Sequence, residues 1–366
     1  MYKIPIATPT IEKSEIKAVS KVIRSKWISS KGPFIKKFEN KFKEFLGGGH
    51  PVAVSNGTHA LQLGISALGI KPGDEIILPN LTFGASINAI INCGAKPVLV
   101  DVDRDTWTID INQIKKATNR KTKAIMLVHV YGIACKIKEI KKFARKKKLY
   151  LIEDCAEALG AKYKNKIIGL DGDCSCHSFF ANKTITTGEG GMVVFKKKTT
   201  YLNALKIKNH GMSFEKKYFH DIVGSNYRLT NLQAAIGVEQ LKKVKKLLKI
   251  RKKIFNIYDS LIDDKLFFKL PKNNWSENSY WLYVIIPKKK INRMKLINYF
   301  KKKGVELSST FYPLHQMKPF KKYSFGKFKN SNFIGNNGIC LPSSGLFKKD
   351  QIYIAKILNN AINLIK

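Results

Sequence analysis

"PVAVSNGTHALQLGISALGIKPGDEIILP", residues 51–79, sets the architecture of this chain. It opens with a short β-branched run, passes through an apolar segment of helical spacing, and returns to the strand-like "EIILP". Runs this short and this apolar read as strands buried on both faces. Strand, helix and strand in that order make a crossover unit with parallel strands. The rhythm continues in "KPVLVDV" (96–102), "KAIMLVHV" (123–130) and "LYLIED" (149–154), the last two separated by the helix-like "KIKEIKKFARKKK" (136–148). Upstream, "TPTIEKSEIKAVSKVIRS" (8–25) and "FIKKFENKFKEFLG" (34–47) have the spacing of amphipathic helices. The expected fold is α/β, with a large and mainly parallel sheet covered by helices. In such sheets ligands bind beyond the carboxyl ends of the strands.

A chain of 366 residues exceeds what one hydrophobic core supports, so a second unit is expected. From Asn231 a long helical pattern, "NLQAAIGVEQLKKVKKLLKIRKKIFNIYDSL", leaves the first region. The strand-like "KLFFKLP", "SYWLYVIIP" and "VELSSTFYP" then alternate with the helical "MKLINYFKKKG" and a last helix near "QIYIAKILNNAINLI". We expect a large α/β domain over residues 1–240 and a smaller α+β domain over 241–366.

Lysine and arginine total 67 against 26 acids, a net charge of +41. Such an excess raises the question of a polyanionic partner. The cations are 60 lysines and only 7 arginines, however, and nucleic-acid recognition favours the arginine fork. The lysines fall in short runs on the polar faces of expected helices, as in "KKFARKKK" and "LKKVKKLLK". Solvated helix surface accounts for them, and neither nucleic acid nor membrane is an expected partner. No apolar run has bilayer length and the first residues lack a signal-peptide core, so a cytoplasmic protein is expected. The cysteines, Cys93, Cys135, Cys155, Cys174, Cys176 and Cys340, read as reduced and buried. "CSCH" (174–177) has no second cluster at zinc spacing, and no metal is expected.

Four features carry chemistry. "SNGTHA" (55–60) ends a strand and opens a helix, so Gly57 and Thr58 offer backbone amides where an anion binds. "TFGASINA" puts Phe83 at the mouth of the sheet, able to cover a flat ring or to pack in the core. "LIEDCAEALG" ends an apolar strand in Glu153 and Asp154. One of them must face the crevice, where a carboxylate is costly without a cation. Lys183 follows 29 residues after Asp154, in "SFFANKTITTGEGG" (178–191). Aromatic and apolar neighbours disfavour its ammonium form and make it an amine able to form an imine. Carboxylate, lysine and anion-binding helix start together form the minimum set for pyridoxal phosphate. In that reading the helix start takes the phosphate, Asp154 keeps the ring nitrogen protonated and Lys183 forms the Schiff base.

With these residues in place, the chain resembles the sugar-nucleotide aminotransferases named after DegT, DnrJ, EryC1 and StrS. The likeness runs nearly end to end. It includes "NGTHALQLGISALGIKPGDEIILPNLTFGAS", "EDCAEALG", "SFFANKTITTGEGGM", "NHGMSFEKKYFHDIVGSNYRLTNLQAAIG", "YPLHQM" and "LPSS". The resemblance implies the fold of aspartate aminotransferase, the type I fold of pyridoxal-phosphate enzymes. It further implies that Ser178 joins Gly57 and Thr58 at the phosphate, that Phe83 stacks on the ring and that Glu157 sits near its phenolic oxygen. Asn226, in "GSNYR", would reach the cofactor phosphate of a neighbouring subunit, so a homodimer or larger assembly with shared sites is expected. His315, in "YPLHQM", matches a position near the substrate.

The implied reaction is transfer of an amino group from L-glutamate to a nucleotide-linked 4-keto-6-deoxy sugar. Among the family's branches, "SFFANKTITTGEGG" and "NYRLTNLQAAIG" are most similar to the one that aminates C4 of GDP-4-keto-6-deoxymannose. The alternatives are a UDP- or dTDP-linked keto sugar, amination at C3, or a relative that binds polyanions and has lost activity. A dehydrating branch carries histidine where Lys183 stands, so this chain fits amino transfer. Cys135, Lys136 and Ala181 depart from common family patterns without touching the chemistry.

Overall fold

The computed structural model describes residues 2–361. Helices α1 (Lys13–Ser25) and α2 (Pro33–Leu46) open the chain. Alternating units follow: β1 (His50–Val54), α3 (Gly57–Ala67), β2 (Glu75–Pro79), α4 (Gly84–Asn92), β3 (Lys96–Val100), α5 (Ile111–Ala117), β4 (Thr122–Val128), α6 (Ile137–Lys146) and β5 (Tyr150–Asp154). A hairpin, β6 (Lys162–Tyr163) with β7 (Lys166–Ile167), precedes β8 (Cys174–Ser178), β9 (Gly191–Phe195) and α7 (Lys198–Lys208). The large sheet has the order β1-β9-β8-β5-β4-β2-β3. Its strands run parallel except β9, which pairs antiparallel with both β1 and β8.

Both faces of this sheet are apolar because alternate side chains leave opposite sides of a strand. In β2, Ile76 and Leu78 join Leu61 of α3 and Ile87 of α4, whereas Ile77 joins Ile125, Leu127 and Ile140 of α6. The same alternation governs β5, where Leu151 packs on the α6 side and Ile152 on the α3 side. The next two residues, Glu153 and Asp154, inherit those opposite directions.

Helix α8 (Asn231–Leu261) starts from a capping box between Thr230 and Gln233 and runs about 46 Å at the usual helical rise. Beyond it lie β10 (Phe267–Lys269), β11 (Ser276–Glu277), β12 (Tyr283–Pro287), α9 (Arg293–Lys302), β13 (Ser308–Ser309), α10 (Lys329–Asn337), β14 (Ile339–Leu341) and α11 (Lys348–Ala361). The expected last helix is present to Ala361, and its continuation lies outside the described residues. A second, antiparallel sheet has the order β10-β12-β14-β13, and β11 pairs with the β6–β7 hairpin. Helix α8 continues unbroken through residue 240, where the two expected domains were divided. Residues of the N-terminal segment also attach to the second unit. Ile4 bridges Val305, the Ile6 amide donates to Glu306 Oε2 at 2.8 Å and the Ser343 amide donates to the Ile6 carbonyl at 3.0 Å. Among the described residues no helix is long and apolar enough to cross a membrane.

One ion pair fastens α1 to α8. Buried Glu15 accepts from Gln240 Nε2 at 2.7 Å and pairs with Lys243. Burial pushes its carboxyl up, but Lys243, the Glu12 amide, Gln240 and Ser14 outweigh that and leave it at about 2. A carboxyl lowered on folding stabilises above its unfolded value of 4.5 and loses that contribution as pH falls toward 2. Glu15→Gln should therefore be less stable than the wild-type chain at neutral pH, with the two urea midpoints converging in acid. Parallel curves would exclude this role.

Candidate active site

The carboxyl ends of β1, β2, β5 and β8 surround a cavity of about 510 Å³, closed on one side by Trp281 and Phe311 from the second unit. A larger groove of about 730 Å³ runs between α2 and α8, but lysines such as Lys41, Lys242 and Lys245 line it and none of the candidate site residues does. The smaller cavity holds the chemistry.

Its floor is the start of α3. Asn56 caps the helix, its side-chain oxygen accepting from the His59 amide at 2.8 Å. The amides of Gly57 and Thr58 occupy the first two helical positions, which have no acceptor inside the helix. Two glycines let three segments converge here. A Cβ on Gly57 would stand 2.8 Å from Ser178 Cβ, and one on Gly191 would stand 2.4 Å from the Asn56 carbonyl oxygen. Ser178, at the end of β8, is thereby brought beside the helix start and lines the same cavity.

Asp154 projects into the cavity on the α3 side. Ser86 Oγ donates to its Oδ2 at 2.8 Å and the Ala156 amide to its Oδ1 at 3.1 Å. Burial pushes its carboxyl upward, opposed by those bonds and by the charge of Lys183. Glu153 points the other way and is satisfied by the fold. It accepts from the amides of Gly169 (3.1 Å), Asp171 (3.0 Å) and Gly172 (2.7 Å) and lies 3.3 Å from His129 Nε2. His129, Glu153 and Cys155 are close enough together for a metal site. Two of the three are otherwise engaged, since Glu153 holds the 169–172 turn and His129 Nδ1 accepts from the Cys135 amide at 3.1 Å. In β8, Cys174 and Cys176 lie against Gly64 of α3 as core thiols, their Sγ atoms 3.0 and 3.3 Å from where a Cβ would sit. Glu157 is buried, and its Oε2 accepts from the Tyr131 amide at 2.7 Å. Burial pushes its carboxyl to about 7 against the pull of Lys183.

Lys183 faces these two carboxyls, with its Nζ 3.8 Å from the centre of the Trp281 ring. Burial lowers its pKa, Glu157 and Asp154 oppose that, and Arg251 adds to it. Behind it stands an aromatic panel: Tyr131 stacks on Phe311 at 5.2 Å and on Trp281 at 6.2 Å. Phe83 is 61% exposed, which excludes core packing, and its ring lies 5.8 Å from Phe311 at the cavity mouth. Asn182 also lines the cavity, and its buried side-chain oxygen has no hydrogen-bond partner among the described residues.

Two expected site residues lie outside the cavity lining. Asn226 accepts from Arg228 Nε at 2.8 Å and follows a segment whose Val223 is 97% exposed. His315 stacks on Phe328 at 4.4 Å, and its amide donates to Asn80 Oδ1 at 2.9 Å. Ser86, Asn182, Trp281 and Phe311 were not read from the sequence. The signal for Ser86 was available, since it follows Phe83 by three residues at the start of α4, near the Asp154 strand end. Trp281 and Phe311 carried none, because each reaches the cavity only through the packing of the second unit.

A sequence profile of the DegT/DnrJ/EryC1/StrS aminotransferase family matches residues 9–359. GDP-perosamine synthase of Escherichia coli O157:H7 is 42% identical over 361 residues, covering 98% of this chain and 98% of its own. The enzyme of that name from Vibrio cholerae is 41% identical over 367 residues, covering 99% of this chain and 100% of its own. Among solved structures, the putative sugar aminotransferase Spr1654 from Streptococcus pneumoniae in its PLP-form aligns with a TM-score of 0.94 at 28% identity, with 99% of each chain covered. A cavity that joins a lysine, a strand-end carboxylate and an open helix start thus lies in a chain that matches this family nearly end to end; the chain belongs to the DegT/DnrJ/EryC1/StrS aminotransferase family and is an enzyme of the transaminase type.

Proposed function

We propose that the chain transfers the amino group of L-glutamate to the C4 ketone of GDP-4-keto-6-deoxymannose, giving GDP-perosamine, with pyridoxal phosphate as coenzyme. The observation that carries this reading is the convergence of Lys183, Asp154 and Glu157 on one cavity at the start of α3. Identities of 42% and 41% to two chains named for that synthesis support the sugar and the nucleotide.

The residues fit the coenzyme. When bound, it supplies an electron-withdrawing ring that lets an amino group pass from donor to acceptor. The Gly57 and Thr58 amides, with the hydroxyls of Thr58 and Ser178, would hold its phosphate at the positive end of α3. Asp154 would hold a proton on the ring nitrogen. Its burial makes an unpaired carboxylate costly, and a cationic partner removes that penalty. Glu157, with a carboxyl near 7, would share a proton with the phenolic oxygen. Phe83 would cover the ring at the mouth, and the free Asn182 oxygen adds an acceptor inside.

Lys183 moves the proton. Because burial disfavours its ammonium form, a neutral Nζ is available to take the α-proton of glutamate, and the ammonium then returns one to the carbon that gains the amine. The two nearby carboxyls keep that ammonium from being too unstable to form. Asn226 would complete the phosphate seat of a neighbouring subunit, which calls for a homodimer or larger assembly, and His315 would approach the sugar. The six cysteines are all free and five are buried, in keeping with a cytoplasmic setting.

Incubating the holoenzyme with glutamate and a panel of GDP-, UDP- and dTDP-linked keto sugars should yield an amine at C4 of the GDP-linked sugar, identified by mass and NMR. Lys183→Ala should fold but lose turnover, and borohydride should leave no coenzyme on the peptide carrying residue 183. Retention of both would remove the assignment. Gly57→Ala, whose Cβ meets Ser178 at 2.8 Å, should weaken coenzyme binding about tenfold while Lys183 stays competent. Unchanged affinity would mean the phosphate seat lies elsewhere.

A further inference from the structure

Only seven cations in this chain are arginines, and one of them, Arg251, is 5% exposed in the middle of α8. No carboxylate among the described residues bonds to it. Its nitrogens end on backbone carbonyls instead: Nη1 donates to Trp281 at 2.8 Å and to Tyr280 at 3.4 Å, and Nη2 donates to Lys183 at 3.2 Å. A buried guanidinium without a counter-ion is a costly arrangement, and burial alone lowers its pKa to about 10. Lysine, whose donors all sit on one nitrogen, lacks the two separated terminal nitrogens with which this planar fork reaches two segments.

What the fork joins is the reacting amine and the ring against which it rests. The carbonyl of Lys183 is tied through Arg251 to the carbonyl of Trp281, and the Trp281 indole Nε1 donates to the Asn182 carbonyl at 3.1 Å. Two cross-links therefore fix residues 182 and 183 to residue 281, across the boundary between the two sheets. We propose that Arg251 is a positioning residue for Lys183, setting where its amine stands.

This assignment rests on the role of Lys183 given above. The charged groups acting on that amine are Asp154 at the end of β5, Glu157 in the loop that follows it and Arg251 from α8, while Glu189 lines the same cavity. Asp154 and Glu157 favour the ammonium form. Arg251 is the cation that works against them, together with burial.

The test labels amines of the coenzyme-free chain across a pH series and reads Lys183 by peptide mass spectrometry, alongside kcat and KM of the holoenzyme. Arg251→Gln should move the Lys183 labelling midpoint to higher pH and lower kcat about tenfold or more, with KM for glutamate within about twofold. Arg251→Lys keeps the charge and loses the fork, so kcat should fall similarly with the midpoint near the wild-type position. Arg293→Gln is the control, since Arg293 also bonds to carbonyls, those of Gly335 and Gly338, but does so away from the cavity. It should change neither readout. An unmoved midpoint in folded Arg251→Gln, or an equal shift in Arg293→Gln, overturns the proposal. Should Arg251→Gln fail to fold, wild-type kcat in Arg251→Lys overturns it, and a tenfold loss at an unshifted midpoint supports it. Because labelling is read without coenzyme or substrate, failure of the reaction itself would leave this measurement standing.

Discussion

Two consecutive carboxylates at the end of a strand buried on both faces cannot share one environment, and the pleat of β5 sends them apart. Glu153 goes to the α6 side and is consumed by three backbone amides and His129. Asp154 goes to the α3 side and among the described residues receives two donors, Ser86 and the Ala156 amide. It is left buried and under-neutralised in a cavity, so a cation brought there is stabilised. The rest of the site is arranged around that imbalance: Lys183 and Glu157 share its field, and the open amides of α3 supply an anion seat within the same space.

The division of labour between the two carboxylates also stiffens the site. Glu153 holds the turn at 169–172 against β5, immediately before β8. The His129 amide donates to the Asp154 carbonyl at 3.1 Å, so the strand end is held from its neighbour as well. A side chain with no contact to the cavity thus fixes the backbone from which the functional carboxylate projects.

Much of this was legible in the sequence. The parallel core announced itself through short apolar runs at regular spacing, and strand ends located Gly57, Phe83 and the Glu153–Asp154 pair because loops at those ends open toward one side, whereas Ser178 came from the family likeness. Period two fixes that Glu153 and Asp154 face opposite ways but not which face carries the ligand, so the choice of Asp154 came from the coenzyme reading and not from the strand pattern. Strand β9 was hidden behind the glycine turn "TTGEGG", and its antiparallel direction depends on that turn. Trp281, Phe311 and Arg251 were illegible for a different reason. Each sits in an ordinary strand, loop or helix pattern and acquires its position only when the second unit closes on the first. Asn226 and His315 stand beside the cavity rather than in it, so their expected roles draw on family likeness alone.

The attachment of residues 4–6 to residues 304–306 and 343 has a consequence for biogenesis. During synthesis those first residues emerge early, yet the partners they pair with are made about 300 residues later, an interval on the order of 15–60 s at ordinary ribosome speeds. The large sheet can assemble in the meantime, because its last strand, β9, is complete at Phe195 and closes the sheet against β1. The second unit cannot. The nascent polypeptide therefore carries an unsatisfied edge through that interval, and completion of the wall that brings Trp281 and Phe311 to the lysine is deferred until residues 304–343 have been made.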